Sequence, residues 1–155
     1  MTDLNWCAVT PEIVLLGMAC LVALVDLFVT CPKRTTTYLL SMASLAVVAG
    51  LHLNALDNGQ SVYAMQRMVV TDAMGHLLSL CATLAVMATL VYARNYAGER
   101  EMLKGELFSL AMLSLLGISI MIIGNNFLAI YLGLELMSLS LYAVVALRRD
   151  HAQST

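Results

Sequence analysis

The sequence predicts an all-α, polytopic membrane protein with five transmembrane helices. Hydrophobic residues make up 61% of its 155 residues, and charged residues only 12%. A soluble domain carries roughly twice that charged fraction, about 25%. The charges are confined to short segments between apolar blocks that are long enough to span a bilayer. Because backbone polar groups in lipid must be satisfied within their own segment, these blocks are predicted to be helices.

Hydropathy places the five spans in order along the chain. The first covers residues 12–29; it is longer than a signal-peptide core and no basic residue precedes it, so it is predicted to be retained. The others are predicted at residues 38–56, 73–92, 107–123 and 127–147. Polar breaks separate the spans, and the mixed-charge run that begins at Arg94 is predicted to be a loop.

The break between the fourth and fifth spans consists of Gly124, Asn125 and Asn126. Such a short connection makes the two helices antiparallel neighbours. Gly124 is predicted to end the fourth helix in the left-handed conformation, and either asparagine to cap the fifth. Small residues in the fourth span indicate close helix contacts. These are Ser109, Ser114, Gly117 and Ser119.

Basic residues in the breaks predict the orientation of the chain. If the spans alternate, seven of the eight basic residues lie on one side and Arg67 alone lies on the other. Cytoplasmic loops carry an excess of Lys and Arg, so we expect the N-terminus outside and the C-terminal end in the cytoplasm. The seven residues are Lys33, Arg34, Arg94, Arg100, Lys104, Arg148 and Arg149.

Glu135 is the only Asp, Glu, Lys or Arg between Glu106 and Arg148. A charge near the middle of a spanning helix costs roughly 2.5–3.5 kcal/mol on insertion scales. Residues with that cost are retained chiefly for ion or proton handling, so Glu135 is the candidate catalytic residue for proton transfer. The alternative is a protonated carboxyl that fixes helix packing.

Three hydroxyl residues share a helical face with Glu135 at spacings of four, three and seven residues. They are Tyr131, Ser138 and Tyr142, whereas Ser140 lies off this face. Hydroxyl groups beside a carboxyl can donate hydrogen bonds to it or hold a chain of water molecules. They are candidate relay residues, with helix contact as the alternative for each.

The remaining polar residues are weaker indications of a functional site. Asp26, near the cytoplasmic end of the first span, is expected to snorkel or to pair with Lys33 and Arg34. His52 and His76 lie near the outer ends of their spans, where solvated side chains are expected, although their titration range would suit proton transfer. The four cysteines are scattered and form no C-x-x-C pair, so neither a metal site nor a disulfide framework is predicted.

The segment NNFLAIYLGLELMSLSLY, residues 125–142, resembles the conserved-Glu helix of the antiporter-like subunits of NADH:quinone oxidoreductase, respiratory complex I. Cation/proton antiporters of the Mrp type share this helix. Many family members have an aromatic residue before the glutamate, where this chain has Leu134. That variant, preceded by three spans, resembles one of the three complex I members in particular.

The resemblance implies a fold of about fourteen helices, in which three leading spans precede two inverted five-helix repeats. Residues 1–104 would supply the three leading spans, and residues 105–155 the hairpin that begins the first repeat. Family members place a buried lysine of a later span opposite the glutamate, and no span of this chain contains lysine. The chain is therefore expected to be an N-terminal part of such a subunit.

The resemblance further implies a proton-translocating subunit of the bacterial inner membrane that binds no cofactor itself. NADH, FMN, iron–sulfur clusters and quinone are expected in partner subunits of the complex. The partners would be other membrane subunits, the missing helices of the same subunit and the bilayer, and not nucleic acid. The alternatives are a subunit of a multi-subunit cation/proton antiporter and a non-catalytic assembly subunit.

Overall fold

A computed structural model of the chain describes residues 6–28, 35–58, 61–99 and 105–146. Within these ranges a short 3-10 turn, Trp6–Val9, precedes five long helices that are each long and apolar enough to cross a membrane. The predicted all-α, five-span fold is thus confirmed. The helices are α1 (Thr10–Phe28), α2 (Thr35–Asn58), α3 (Ala73–Glu99), α4 (Glu106–Ile123) and α5 (Phe127–Val145).

Helix α3 extends beyond its predicted end. The run from Arg94, predicted to be a loop, continues the helix to Glu99. The Arg94 guanidinium donates to Thr35 Oγ1 at 3.2 Å and lies 4.5 Å from the centroid of the Tyr38 ring, both on α2. These hydrogen-bonding and cation–π contacts hold the last turns of α3 against α2, which explains why a charged segment stays helical.

The connection between α2 and α3 contains a β-hairpin that the sequence analysis did not predict. Strands β1 (Val62–Ala64) and β2 (Val69–Thr71) pair antiparallel, with Tyr63 opposite Val70. Three consecutive residues in the connecting turn adopt positive φ: Met65, Gln66 and Arg67.

This hairpin is tied to the turn between α4 and α5. The Asn125 backbone N–H donates to the Met68 carbonyl at 2.9 Å, and its side-chain Nδ2 donates to the Arg67 carbonyl at 3.0 Å. Gly124 forms an isolated antiparallel β-bridge with Val69, and its backbone is extended, with φ −65° and ψ 118°. The predicted left-handed Gly124 is therefore wrong, because pairing with the hairpin requires an extended backbone there. The predicted cap on α5 is confirmed: Asn126 Oδ1 accepts from the Leu128 N–H.

Helix α4 occupies the centre of the bundle, in contact with α1, α3 and α5. Its side chains Phe108, Met112 and Leu115 are fully buried. They pack into one apolar cluster with Leu15 of α1 and Leu45 of α2. The predicted small residues of α4 are all buried as well, which confirms their role in close helix contacts.

Among the basic residues that predict orientation, only Arg67 and Arg94 belong to the described part of the chain. The remaining ones lie outside the described residues: Lys33, Arg34, Arg100, Lys104, Arg148 and Arg149.

Candidate functional site

Helix α5 is placed by a close backbone contact with α4. A Cβ atom on Gly117 would lie 2.7 Å from the Gly133 carbonyl oxygen, and one on Gly133 would lie 2.8 Å from the Gly117 oxygen. Met121 packs at Gly133 while Met137 packs at Gly117, so residue numbers rise on one helix as they fall on the other. The predicted antiparallel hairpin is confirmed, and it needs glycine at both positions.

The four predicted site residues lie on the opposite side of α5 from this contact. Glu135 is two residues from both Gly133 and Met137, which places it about 200° around the helix from each. Tyr131 and Tyr142 are 56% and 69% exposed. We call the face formed by Tyr131, Glu135, Ser138 and Tyr142 the polar stripe.

The described structure covers the polar stripe only in part. Glu135 and Ser138 are half-buried, and no hydrogen bond or ion pair to a stripe residue occurs among the residues the structure describes. Ser140, predicted to lie off the stripe, is buried and donates instead to the Leu136 carbonyl at 2.7 Å. The helix thus brings the four residues to one face without supplying their partners. Carboxyl side chains inside a bilayer usually pair with another charged group or face a water-filled cavity.

Two histidines, which the sequence suggested to be solvated, form a buried contact between α2 and α3. His52 and His76 are 1% and 9% exposed, and their Nδ1 atoms are 3.3 Å apart. The solvated assignment is wrong because the two rings pack against each other between α2 and α3. No periodicity in one sequence shows that two histidines on separate helices meet.

A buried carboxyl that the sequence analysis did not single out lies in the first turn of α1. Glu12 is 5% exposed, and neither carboxylate oxygen has a hydrogen-bond partner in the described part of the chain. Burying a carboxyl without a hydrogen-bond partner is energetically costly. The only sequence signal was its position at the start of an apolar run.

Asp26 contacts two neighbouring parts of the chain, α2 and the residue that precedes α4. Its Oδ1 accepts from Thr37 Oγ1 of α2 at 3.2 Å, and its carboxylate occupies the space that a Cβ on Gly105 would need. It therefore packs at the start of α4. Its predicted partners Lys33 and Arg34 lie outside the described residues.

The comparisons with known proteins agree on one subunit. The chain is 52% identical over 153 residues to NADH-quinone oxidoreductase subunit N of Polaromonas naphthalenivorans. The aligned residues make up 98% of this chain and 31% of that protein. The chain is 47% identical over 156 residues to the subunit N of Herminiimonas arsenicoxydans, covering 98% and 32% respectively. The chain is thus similar over nearly its whole length to part of NADH-quinone oxidoreductase subunit N. No protein-family model matches it.

This similarity to subunit N confirms the resemblance drawn from residues 125–142. A third relative, subunit N of Nitrosomonas europaea, is 44% identical over 145 residues, covering 94% of the chain and 30% of that protein. The chain thus spans about a third of the length of the curated relatives it matches. Because the match to the first relative covers 98% of the chain, the polar stripe and the histidine pair both fall within it.

Proposed function

We propose that this chain is the proton-handling N-terminal part of a subunit N, in which Glu135 binds and releases protons. The observation that carries the proposal is the polar stripe, which is directed away from α4 and has no partner in the described structure. A carboxyl in the middle of a spanning helix is energetically costly, so it is retained chiefly where it changes charge or forms an ion pair during function. Tyr131, Ser138 and Tyr142 would hold the water molecules that carry protons to and from it.

The open stripe is the surface on which the rest of the subunit would pack. The relatives are about three times as long as the chain, and further helices of a subunit N would cover α5. A lysine from one of them would approach Glu135, and its positive charge would favour the ionised carboxylate. Moving that lysine away would favour the protonated form, so a change in ion pairing would move a proton. Residues 1–104 would serve as a three-helix support, and residues 105–155 as the start of the proton-handling repeat.

Electron transfer would take place in partner subunits. The two relatives with the highest identities above are subunits of NADH-quinone oxidoreductases. In our proposal this chain binds no cofactor, while NADH, FMN, iron–sulfur clusters and quinone are bound by its partners. The complex would lie in the inner membrane with the N-terminus of the chain outside. Its other membrane subunits would contact the lipid-exposed helices.

The two alternative functions have weaker support. The relatives described above carry the name of an oxidoreductase subunit, which favours complex I over a cation/proton antiporter. A pure packing role for Glu135 is disfavoured because the α4–α5 contact uses Gly117 and Gly133, on the far side of α5.

The test is Glu135→Gln in a complete complex I whose subunit N contains this chain. Glutamine keeps the size and polarity of the side chain but cannot exchange a proton near neutral pH. We expect proton pumping per NADH oxidised to fall strongly while the complex still assembles. The matched control is Glu106→Gln, which makes the same change at an exposed residue at the start of α4. Unchanged pumping stoichiometry in the Glu135→Gln complex would rule out the proposed role.

A further inference from the structure

A second group of titratable side chains lies at the end of the bundle where α2 ends and α3 begins. The His52 and His76 rings are 5.6 Å apart between centroids, with an angle of 50° between their planes. Their Nδ1 atoms, 3.3 Å apart, are each other's hydrogen-bond partners. A neutral imidazole has one donor and one acceptor nitrogen, so one ring donates its Nδ1–H to the bare Nδ1 of the other.

One ring of the pair, that of His76, lines a cavity. This cavity, of about 570 Å³, lies between the first turn of α1, the end of α2 and the hairpin. Polar side chains form much of its wall, among them Thr10, Asn54, Asn58 and Thr71. A cavity of this size with several polar partners is large enough and polar enough to hold water.

Charged groups around the pair come from each neighbouring element. Asp72 precedes α3 and accepts from the Gly75 N–H at 2.7 Å, which places its carboxylate next to the first turn that carries His76. Glu12 of α1 is buried, Asp57 near the end of α2 is exposed, and Arg67 lies exposed on the hairpin turn. The described parts of α4 and α5 add no charged residue at this end, since Glu106 begins α4 at its opposite end and Glu135 lies midway along α5.

We propose that His52 and His76 form a one-proton exchange site that communicates with water in this cavity. In the neutral state a single proton is shared between the two Nδ1 atoms. When His76 is the donor, water delivers a proton to its free Nε2, and the shared proton then moves to His52. One proton has entered, His52 carries the positive charge, and His76 is again neutral. The reverse sequence returns the proton to the cavity.

The geometry limits the site to one added proton. If both rings were cations, two N–H groups would face each other at 3.3 Å, with neither able to accept. The site is separate from Glu135, because it lies between α2 and α3, whereas the polar stripe lies on the far side of α5. It therefore provides this chain with a proton site that needs no residue from outside it.

The test uses the chain in bicelles with ¹⁵N-labelled histidine, since it contains only three histidines. At neutral pH we expect a scalar coupling across the Nδ1–H···Nδ1 hydrogen bond between His52 and His76. On acidification we expect the signals of both rings to shift at one common midpoint, corresponding to a single added proton. The variant His151→Gln removes the third signal and should leave this behaviour unchanged, which assigns the pair.

A second variant distinguishes a proton-exchange site from a histidine pair that only holds α2 and α3 together. In His52→Gln, His76 loses its proton-sharing partner, so its titration midpoint should shift relative to the unaltered chain. The proposal is overturned by the absence of coupling in the unaltered chain, by two distinct midpoints with both rings ending as cations, or by no titration while the chain stays folded. The first and third outcomes need no variant, so the test stands even if His52→Gln does not fold.

Discussion

Helices α4 and α5 form one hairpin and are similarly apolar, yet the rest of the chain covers them very differently. Over 18 consecutive residues, 50% are buried in α4 and only 11% in α5. Helix α4 contacts α1 and α3 as well as α5, whereas α5 rests chiefly on α4. Hydropathy alone does not distinguish a helix at the centre of a bundle from one at its edge.

The difference shows where this chain leaves a surface for something else. The serines of the central helix are buried, and Ser109 Oγ donates a hydrogen bond to the Glu106 carbonyl of the same helix. The edge helix keeps a half-buried carboxyl, Glu135, for which the described residues supply no hydrogen-bond partner. Because an unpartnered midspan carboxyl is unfavourable in lipid, we expect its face of α5 to receive a further segment.

The largest expected effect on stability comes from removing a phenylalanine ring from α4, compared with the same change in α5. Phe108→Ala in α4 deletes a fully buried ring that packs edge-on against Tyr38, with centroids 5.9 Å apart. We expect it to lower the free energy of unfolding by about 3 kcal/mol, the lower end of the range for buried Phe→Ala changes. Phe127→Ala in α5 deletes a ring that is 90% exposed, and should change stability by less than about 0.5 kcal/mol. Unfolding in bicelles by SDS titration measures both, and equal losses would contradict the contrast between the helices.

The second prediction addresses the contact that joins the two helices. Gly117→Ala places a methyl group 2.7 Å from backbone atoms of Gly133 and Met137, which cannot rotate away as a side chain would. We expect a loss of about 1–3 kcal/mol and a measurable separation of α4 from α5. The control is Gly17→Ala in α1, where an added Cβ meets nothing within 4 Å. Spin labels on the two helices would report the separation. A distance unchanged in Gly117→Ala would show that the hairpin does not depend on this contact.

Much of this arrangement could be predicted from the sequence because it depends on local properties. Five apolar blocks produce five helices, and the short turn at Asn125 forces α4 and α5 to be antiparallel. The spacing of Tyr131, Glu135 and Ser138 already placed them on one face, since three- and four-residue steps share a helix face. The asparagine cap on α5 also follows from local chemistry.

The parts that could not be predicted depend on contacts between distant segments. His52 and His76 are 24 residues apart, and only the packing of α2 on α3 brings their rings together. Gly124 is extended rather than left-handed because it pairs with Val69, more than fifty residues earlier in the chain. Similarly, the burial of Glu12 depends on other elements covering the first turn of α1.

The smallest expected effect concerns how the two helices begin. The residue that precedes α4, Gly105, has no side chain to cap the helix. At the start of α5, by contrast, the Asn126 side chain accepts a hydrogen bond from the Leu128 N–H at 3.3 Å. A helix with few tertiary contacts depends more on its own cap, so Asn126→Ala should cost α5 about 1 kcal/mol. Amide hydrogen exchange should then accelerate roughly fivefold in the first turn of α5, with no change in α4.

The neighbouring asparagine supplies the control for this last prediction. Asn125→Ala removes the hydrogen bond to the Arg67 carbonyl but leaves the Asn126 cap in place. It should loosen the hairpin without accelerating exchange at the start of α5. If both variants accelerate exchange there equally, the link to the hairpin, rather than the cap, holds the first turn of the edge helix. The difference in stability between the first turns of α4 and α5 would then come from the hydrogen bonds that join the α4–α5 turn to the hairpin.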